Sequence, residues 1–295
     1  MPGDSAPGLV DGVIVLASNW GTPTYYIVKG YTHTENHIVA VPYRLPDCAK
    51  PTIPARLVYH PCLGSRVPAI SSDKVLYKVQ AGRQAGLPPR IRGFLEEFSS
   101  ILGLEQAWVT GSHAIGCGGP SSDVDIIAPY NPEAPRALRD LAEEGLIAQC
   151  QAERVLGKRV AQGPGGVALD EARIGSSLLD SCYKGVPYTL RLLTSLWEEP
   201  CRDPLIPLGR ARLLVEVRGG SPYTVPARYE AVVVEALEWG WGRVPRRVWV
   251  ESWRTRYQEL SPGVYLVEGL ARLGARSGEY TVWPDYGWIR LAGRA

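Results

Sequence analysis

Apolar and polar positions alternate through residues 11–43, with Val13-Ile14-Val15-Leu16, Tyr25-Tyr26-Ile27-Val28 and His37-Ile38-Val39-Ala40-Val41 as the β-forming runs. Asn19 to Pro23 and Gly30 to Asn36 supply turn chemistry between them, which predicts a small antiparallel module. Residues 46–68 read as a proline-punctuated connection. The period then changes. Ile91, Phe94, Leu95, Phe98, Ile101 and Leu102 fall on one stripe of a helix over 90–102, opened by Pro88-Pro89 and closed by Gly103. A strand over 106–110 follows, then helices over 132–144 and 167–179 and a strand over 185–193. From Ala211 alternation returns in short runs punctuated by glycine, the pattern of a small barrel or sandwich. The sum is an α+β chain in three parts: a β-rich module (1–70), a mixed sheet with helices (71–209) and a β-rich barrel- or sandwich-like domain (210–295).

At 295 residues, 45% hydrophobic and 21% charged, the chain can bury a sizeable core, and a formal net charge of +2 gives no bulk attraction to nucleic acid. No apolar run reaches the roughly 18 residues that cross a bilayer, and the start lacks a signal-peptide pattern, so a cytoplasmic protein without a membrane partner is expected. Six cysteines lie scattered without a Cys-x-x-Cys pair, which argues against structural zinc and a disulfide scaffold. They read mainly as small buried hydrophobes. Few Lys, Asn and Met beside 25 Pro fit a thermophilic source, a setting in which intracellular disulfides also occur. His33 and His37 lack further ligands at useful spacing and read as hydrogen-bonded hairpin histidines rather than a metal pair.

One arrangement implies chemistry. Val109-Thr110 ends a strand, Gly111 permits a tight turn and Ser112 opens the next element, so N–H groups and a hydroxyl address one spot that suits phosphate. Eleven residues after Ser112, Asp123-Val124-Asp125 places two carboxylates on one strand face, an oxygen pair for a hard cation such as Mg²⁺.

At Gly111, Ser112, Gly116, Ser122, Asp123, Asp125 and Ile126 the chain resembles the polymerase-β-type nucleotidyltransferase superfamily. The layout, with segments such as SPYTVPARYE and KGVPYTLRLL, also resembles archaeal predicted nucleotidyltransferases. The resemblance implies a nucleotidyltransferase-like core. It further implies Gly111, Ser112 and Ser122 at a nucleotide, Mg²⁺ or Mn²⁺ on Asp123 and Asp125, and transfer of a nucleoside monophosphate from an NTP to an acceptor hydroxyl. Two departures stand out. Minimal members often carry Arg directly after Gly-Ser and three residues on, where this chain has His113 and Ile115. The strand expected to bring a third acid carries Arg191 instead, which would either compete with metal or hold the triphosphate. Asp180, just before that strand, and Glu216, in the run Leu213 to Val217, are the candidates for the missing carboxylate.

Trp239 to Tyr257 (WGWGRVPRRVWVESWRTRY) interleaves aromatics with arginines. That mixture suits either a single-stranded RNA surface or barrel core with a solvated edge. RNA, a small molecule or a protein side chain all remain as acceptors, beside an alternative in which the fold binds nucleotide or RNA without catalysis.

Overall fold

The structure is a computed structural model that describes residues 7–19, 21–52, 54–79, 86–149 and 177–293. The chain divides into two compact units: Met1–His60, Arg66–Ala148 and Asp180–Cys201 form one, and Pro61–Ser65, Gln149–Leu179 and Arg202–Ala295 form the other.

The first unit holds two sheets. Strands β1 (Ile14–Asn19), β2 (Thr22–Val28), β3 (His37–Arg44), β4 (Leu57–His60), β5 (Ser65–Ser71) and β6 (Val75–Lys78) lie in the order β4-β5-β3-β2-β1-β6. Three of these were not expected: β4 and β5 form inside and just beyond the supposed proline-rich connection, and β6 follows them. Their prolines stand between strands or at positions that a ladder tolerates, so they punctuate pairing without preventing it. The hairpin β1–β2 is the backbone of the module, with Ile14↔Ile27 and Leu16↔Tyr25 in register.

Helix α1 (Pro89–Ile101) starts with proline in its first turn and ends at Gly103, whose φ is +62°. It buries Ile91, Phe94, Leu95 and Phe98, whereas Ile101 of the expected stripe is exposed. Strand β7 (Trp108–Thr110), the single turn α2 (Gly111–Ala114), β8 (Val124–Pro129), α3 (Ala134–Glu143), β9 (Ile147–Ala148), β10 (Asp180–Tyr183) and β11 (Val186–Leu193) complete the unit. Their sheet runs β7-β8-β11-β10-β9, with β8 and β11 parallel. The expected helix over 167–179 falls mostly outside the described residues.

Alternation explains how this sheet is used. Val124, Ile126 and Ala128 point to one face, where Tyr188 and Leu190 of β11 join them in register. Helix α1 covers that face, with the Phe98 ring 4.7 Å from Tyr188 and 5.2 Å from Tyr183. Asp123 and Asp125 necessarily take the opposite face.

In the second unit β12 (Leu205–Ser221), the short β13 (Thr224–Val225), β14 (Ala227–Trp239), β15 (Arg247–Ser252), β16 (Gly263–Gly274) and β17 (Tyr280–Gly293) follow one another. A closed barrel forms in the order β12-β14-β15-β17-β16, its β15–β17 pair parallel. Leu213, Val215, Val217, Tyr229, Val248 and Val250 fill it.

The cysteines require a correction. Cys48 and Cys117 form a disulfide across 69 residues of sequence, and Cys62, Cys182 and Cys201 are also disulfide-bonded. Partners so distant leave no spacing pattern in the sequence, which is why short-range cysteine arithmetic missed them. Among the described residues no helix is long and apolar enough to cross a membrane.

Candidate functional site

Gly111 adopts φ +65°, a region that favours glycine, and a Cβ built on it would overlap the Asp125 carboxylate. The Gly-Ser turn therefore closes directly over the second aspartate. Across the sheet Thr110, Asp125, Thr189 and Asp180 form one row, since Thr110↔Asp125, Asp125↔Thr189 and Asp180↔Thr189 are register partners. Asp180, expected just before the strand over 185–193, opens a strand of its own, β10, because a hairpin with β11 takes in 180–183. Two strand spacings, about 10 Å, separate its backbone from that of Asp125.

Electrostatics follow from this crowding. The Asp125 carboxyl is pushed up to about 7, first by burial and next by the Asp123 charge, with Asp180 adding to the rise and Arg191 and Lys29 opposing it. It is half-buried by its own surface, so solvent still reaches it while protein surrounds it. A site that resists its own negative charge fits a divalent cation, and Asp123 with Asp125 offers the hard oxygen donors such an ion takes. Asp180 stands further off: among the described residues no group of three His, Cys, Asp or Glu converges tightly enough to hold a metal.

Arg191 lies beside Ile127, on the same face as the aspartates. Its Nη1 donates to Asp11 Oδ2 at 2.8 Å, and Asp11, fully buried, also accepts from the Gly30 N–H at 3.2 Å with Lys29 Nζ 4.0 Å away. The guanidinium is thus engaged by the turn that leads into β1 of the same unit. The same turn meets the site again at Gly12: Thr110 Oγ1 donates to the Gly12 carbonyl, and a Cβ on Gly12 would stand 2.7 Å from Ile127 Cγ2.

Ser122, read as a nucleotide contact, accepts a hydrogen bond from the Gly119 N–H at 2.9 Å and so shapes the spacer loop. The His113 ring packs on Gly118, where a Cβ would collide with it. Ser112 is buried and shares a side-chain hydrogen bond with Tyr43 of β3. The Tyr43 hydroxyl is pushed up by burial and then by the Asp125 charge, so it too lies at the acidic pair. Glu216 belongs to the other unit. It lies on barrel strand β12 between the inward Val215 and Val217 and pairs with Arg218 Nη2 at 2.8 Å.

Tyr43, Arg44, Thr189, Asp11 and Lys29 were absent from the sequence reading. Register alone could have found Thr189, had β8 and β11 been paired on paper; nothing local marks the others.

The residues of 239–257 divide between the two readings. Val248 and Val250 point into the barrel and Trp239 packs against its core, while Trp241 is 73% exposed. Trp249 points outward, with the Arg228 guanidinium 4.1 Å from its ring and its Nε1 donating to Glu279 at 3.1 Å.

Residues 91–162 match the family model described as nucleotidyltransferase domain, consistent with a member of the polymerase-β-type nucleotidyltransferase superfamily. The match begins within α1 and takes in the Gly-Ser turn and both aspartates. No curated protein and no solved structure matches the chain.

Proposed function

We propose that this protein is a nucleotidyltransferase, dependent on Mg²⁺ or Mn²⁺, that moves a nucleoside monophosphate from an NTP to an acceptor hydroxyl. The observation that carries the reading is the closure of the Gly111-Ser112 turn over Asp125, which gives a phosphate-suited turn and an acidic pair one location. In this reading Gly111 and Ser112 seat the triphosphate, and Ser122 keeps the spacer loop in shape around it. Asp123 and Asp125 hold the cation, which when bound neutralises phosphate charge and acidifies the attacking hydroxyl. Asp180, whose strand position falls in the same row across the sheet, would take that hydroxyl's proton, and Glu216, paired with Arg218 on the barrel, would have no part in it.

A second reading, binding without transfer, draws support from one feature: the residue in register beside Asp125 is Thr189, not a carboxylate. RNA is the first acceptor to try, because the segment 239–257 carries an exposed Trp241 and the exposed Arg243, Arg246 and Arg254.

The test is incubation of the protein with labelled NTPs, Mg²⁺ or Mn²⁺ and total RNA. Transfer should vanish in Asp125→Asn, fall about 10²–10⁴-fold in Asp180→Asn and stay near parent level in Glu216→Gln. Metal-dependent NTP binding with no transfer to RNA, protein or small-molecule hydroxyls would establish the second reading instead.

A further inference from the structure

We propose that Arg44 is the cation that grips the phosphates of a nucleotide seated at the Gly111-Ser112 turn, supplying from the six-stranded sheet the charge that the motif itself lacks. The proposal rests on the nucleotide reading above and assigns a residue outside the matched segment.

The backbone aims this residue. Along β2 and β3 the register runs Tyr25↔Arg44 and then Tyr26↔Pro42, so Tyr43 is the extra residue of a β-bulge. A bulge breaks strict alternation and redirects side chains at the end of a strand. Here the redirected Tyr43 reaches the Ser112 hydroxyl, and the Arg44 guanidinium lies 5.4 Å from the centre of the Tyr43 ring. The chain beyond is fixed rather than loose. The Leu45 N–H donates to the Ala49 carbonyl and the Cys48 N–H to the Leu45 carbonyl, both at 2.9 Å. The Cys48–Cys117 disulfide then ties this turn to the spacer loop between Gly-Ser and the aspartates. Tyr43 and Arg44 are therefore connected to the motif by a hydrogen bond on one side and a covalent bond on the other.

Arg44 also has unspent hydrogen-bonding capacity. Its Nε is buried with no hydrogen-bond partner, and none of the ion pairs among the described residues includes it. Burying a guanidinium donor unpaired is costly, so an anionic acceptor brought to this one would be favoured. The two cations that act on Asp125 are differently placed: Arg191 is bonded to Asp11 and Lys29 lies 4.0 Å from the same Asp11 carboxylate. Where related sequences carry Arg on the turn, this chain has His113, whose ring is packed on Gly118. A phosphate group matches the fork of donors Arg44 presents, and a phosphate at Ser112 would lie beside it.

Calorimetric titration of the full chain, with Mg²⁺ present, compares each NTP, the corresponding NMP and inorganic tripolyphosphate. Arg44→Ala should weaken NTP and tripolyphosphate binding about 10- to 100-fold and NMP binding far less, with Arg44→Lys in between. Arg44→Gln, which keeps the side chain's bulk, carries the test if the alanine variant is poorly folded. NTP affinity unchanged in both neutral variants would overturn the role of Arg44 and leave the nucleotide reading standing. A parent protein that binds no NTP with either metal would overturn both.

Discussion

Gly111 carries two constraints at one position. Its φ of +65° already costs an L-residue about 1–3 kcal/mol, and any Cβ there meets the Asp125 carboxylate. Gly111→Ala should therefore lower unfolding free energy by about that amount and also displace Asp125, so that Mn²⁺ titration shows metal affinity falling with it. An alanine variant that binds Mn²⁺ like the parent would mean that the turn and the acidic pair are independent. The sequence made this cluster legible because its parts are contiguous: a turn glycine, a hydroxyl and two acids at period two all lie within residues 111–125. Arg191, by contrast, was legible as an oddity but not in its role. Its partner Asp11 stands 180 positions away and carries no mark in the sequence of being buried.

At the scale of elements, long amphipathic runs declared themselves and contingent pairings did not. Helix α1 could be read from its stripe and its terminal glycine, whereas β10 could not, since a four-residue strand exists only because β11 offers a hairpin partner. That pairing decides whether Asp180 is a turn residue or a member of the acidic row. The β3 bulge is similar, because an extra residue shows only against the strand opposite. The hairpin between β2 and β3 also holds a pH-sensitive contact. His33 Nε2 donates to the Leu9 carbonyl at 2.6 Å while Nδ1 accepts from the Val39 N–H at 3.2 Å, which requires the neutral ring. Its pKa is lowered, first by burial, and that of His60 is lowered by burial and then by His33. The unfolded chain protonates these rings near 6.5, so below that pH it binds more protons than the folded state. Stability should be level above about 6.5 in this contribution and fall as pH drops toward the lower folded values. Urea midpoints at pH 7.5 and 5 should show a loss that shrinks in His33→Gln; an identical loss in both proteins would remove His33 as its source.

For the molecule as a whole, the least legible feature is covalent. Nothing in the spacing of six cysteines pairs Cys48 with Cys117, yet the bond joins a turn of the six-stranded sheet to the loop that separates the two halves of the motif. Closing 69 residues restricts the unfolded chain, and chain-entropy reasoning assigns such a loop about 4 kcal/mol. The folded-state consequence is local, because the spacer loop otherwise relies on short contacts such as Gly119 N–H to Ser122 Oγ and the His113 ring on Gly118. Replacing both cysteines by alanine should lower unfolding free energy by about 2–4 kcal/mol. Amide exchange should accelerate through 116–122 and 45–49 while barrel strands such as Arg247–Ser252 keep their protection. Because Arg44 lies between the bulge and the disulfide, NTP affinity should fall together with loop protection. Faster loop exchange with unchanged NTP affinity would show that the bulge and the Tyr43–Ser112 contact alone position the nucleotide-facing side chains, and that the disulfide serves stability only.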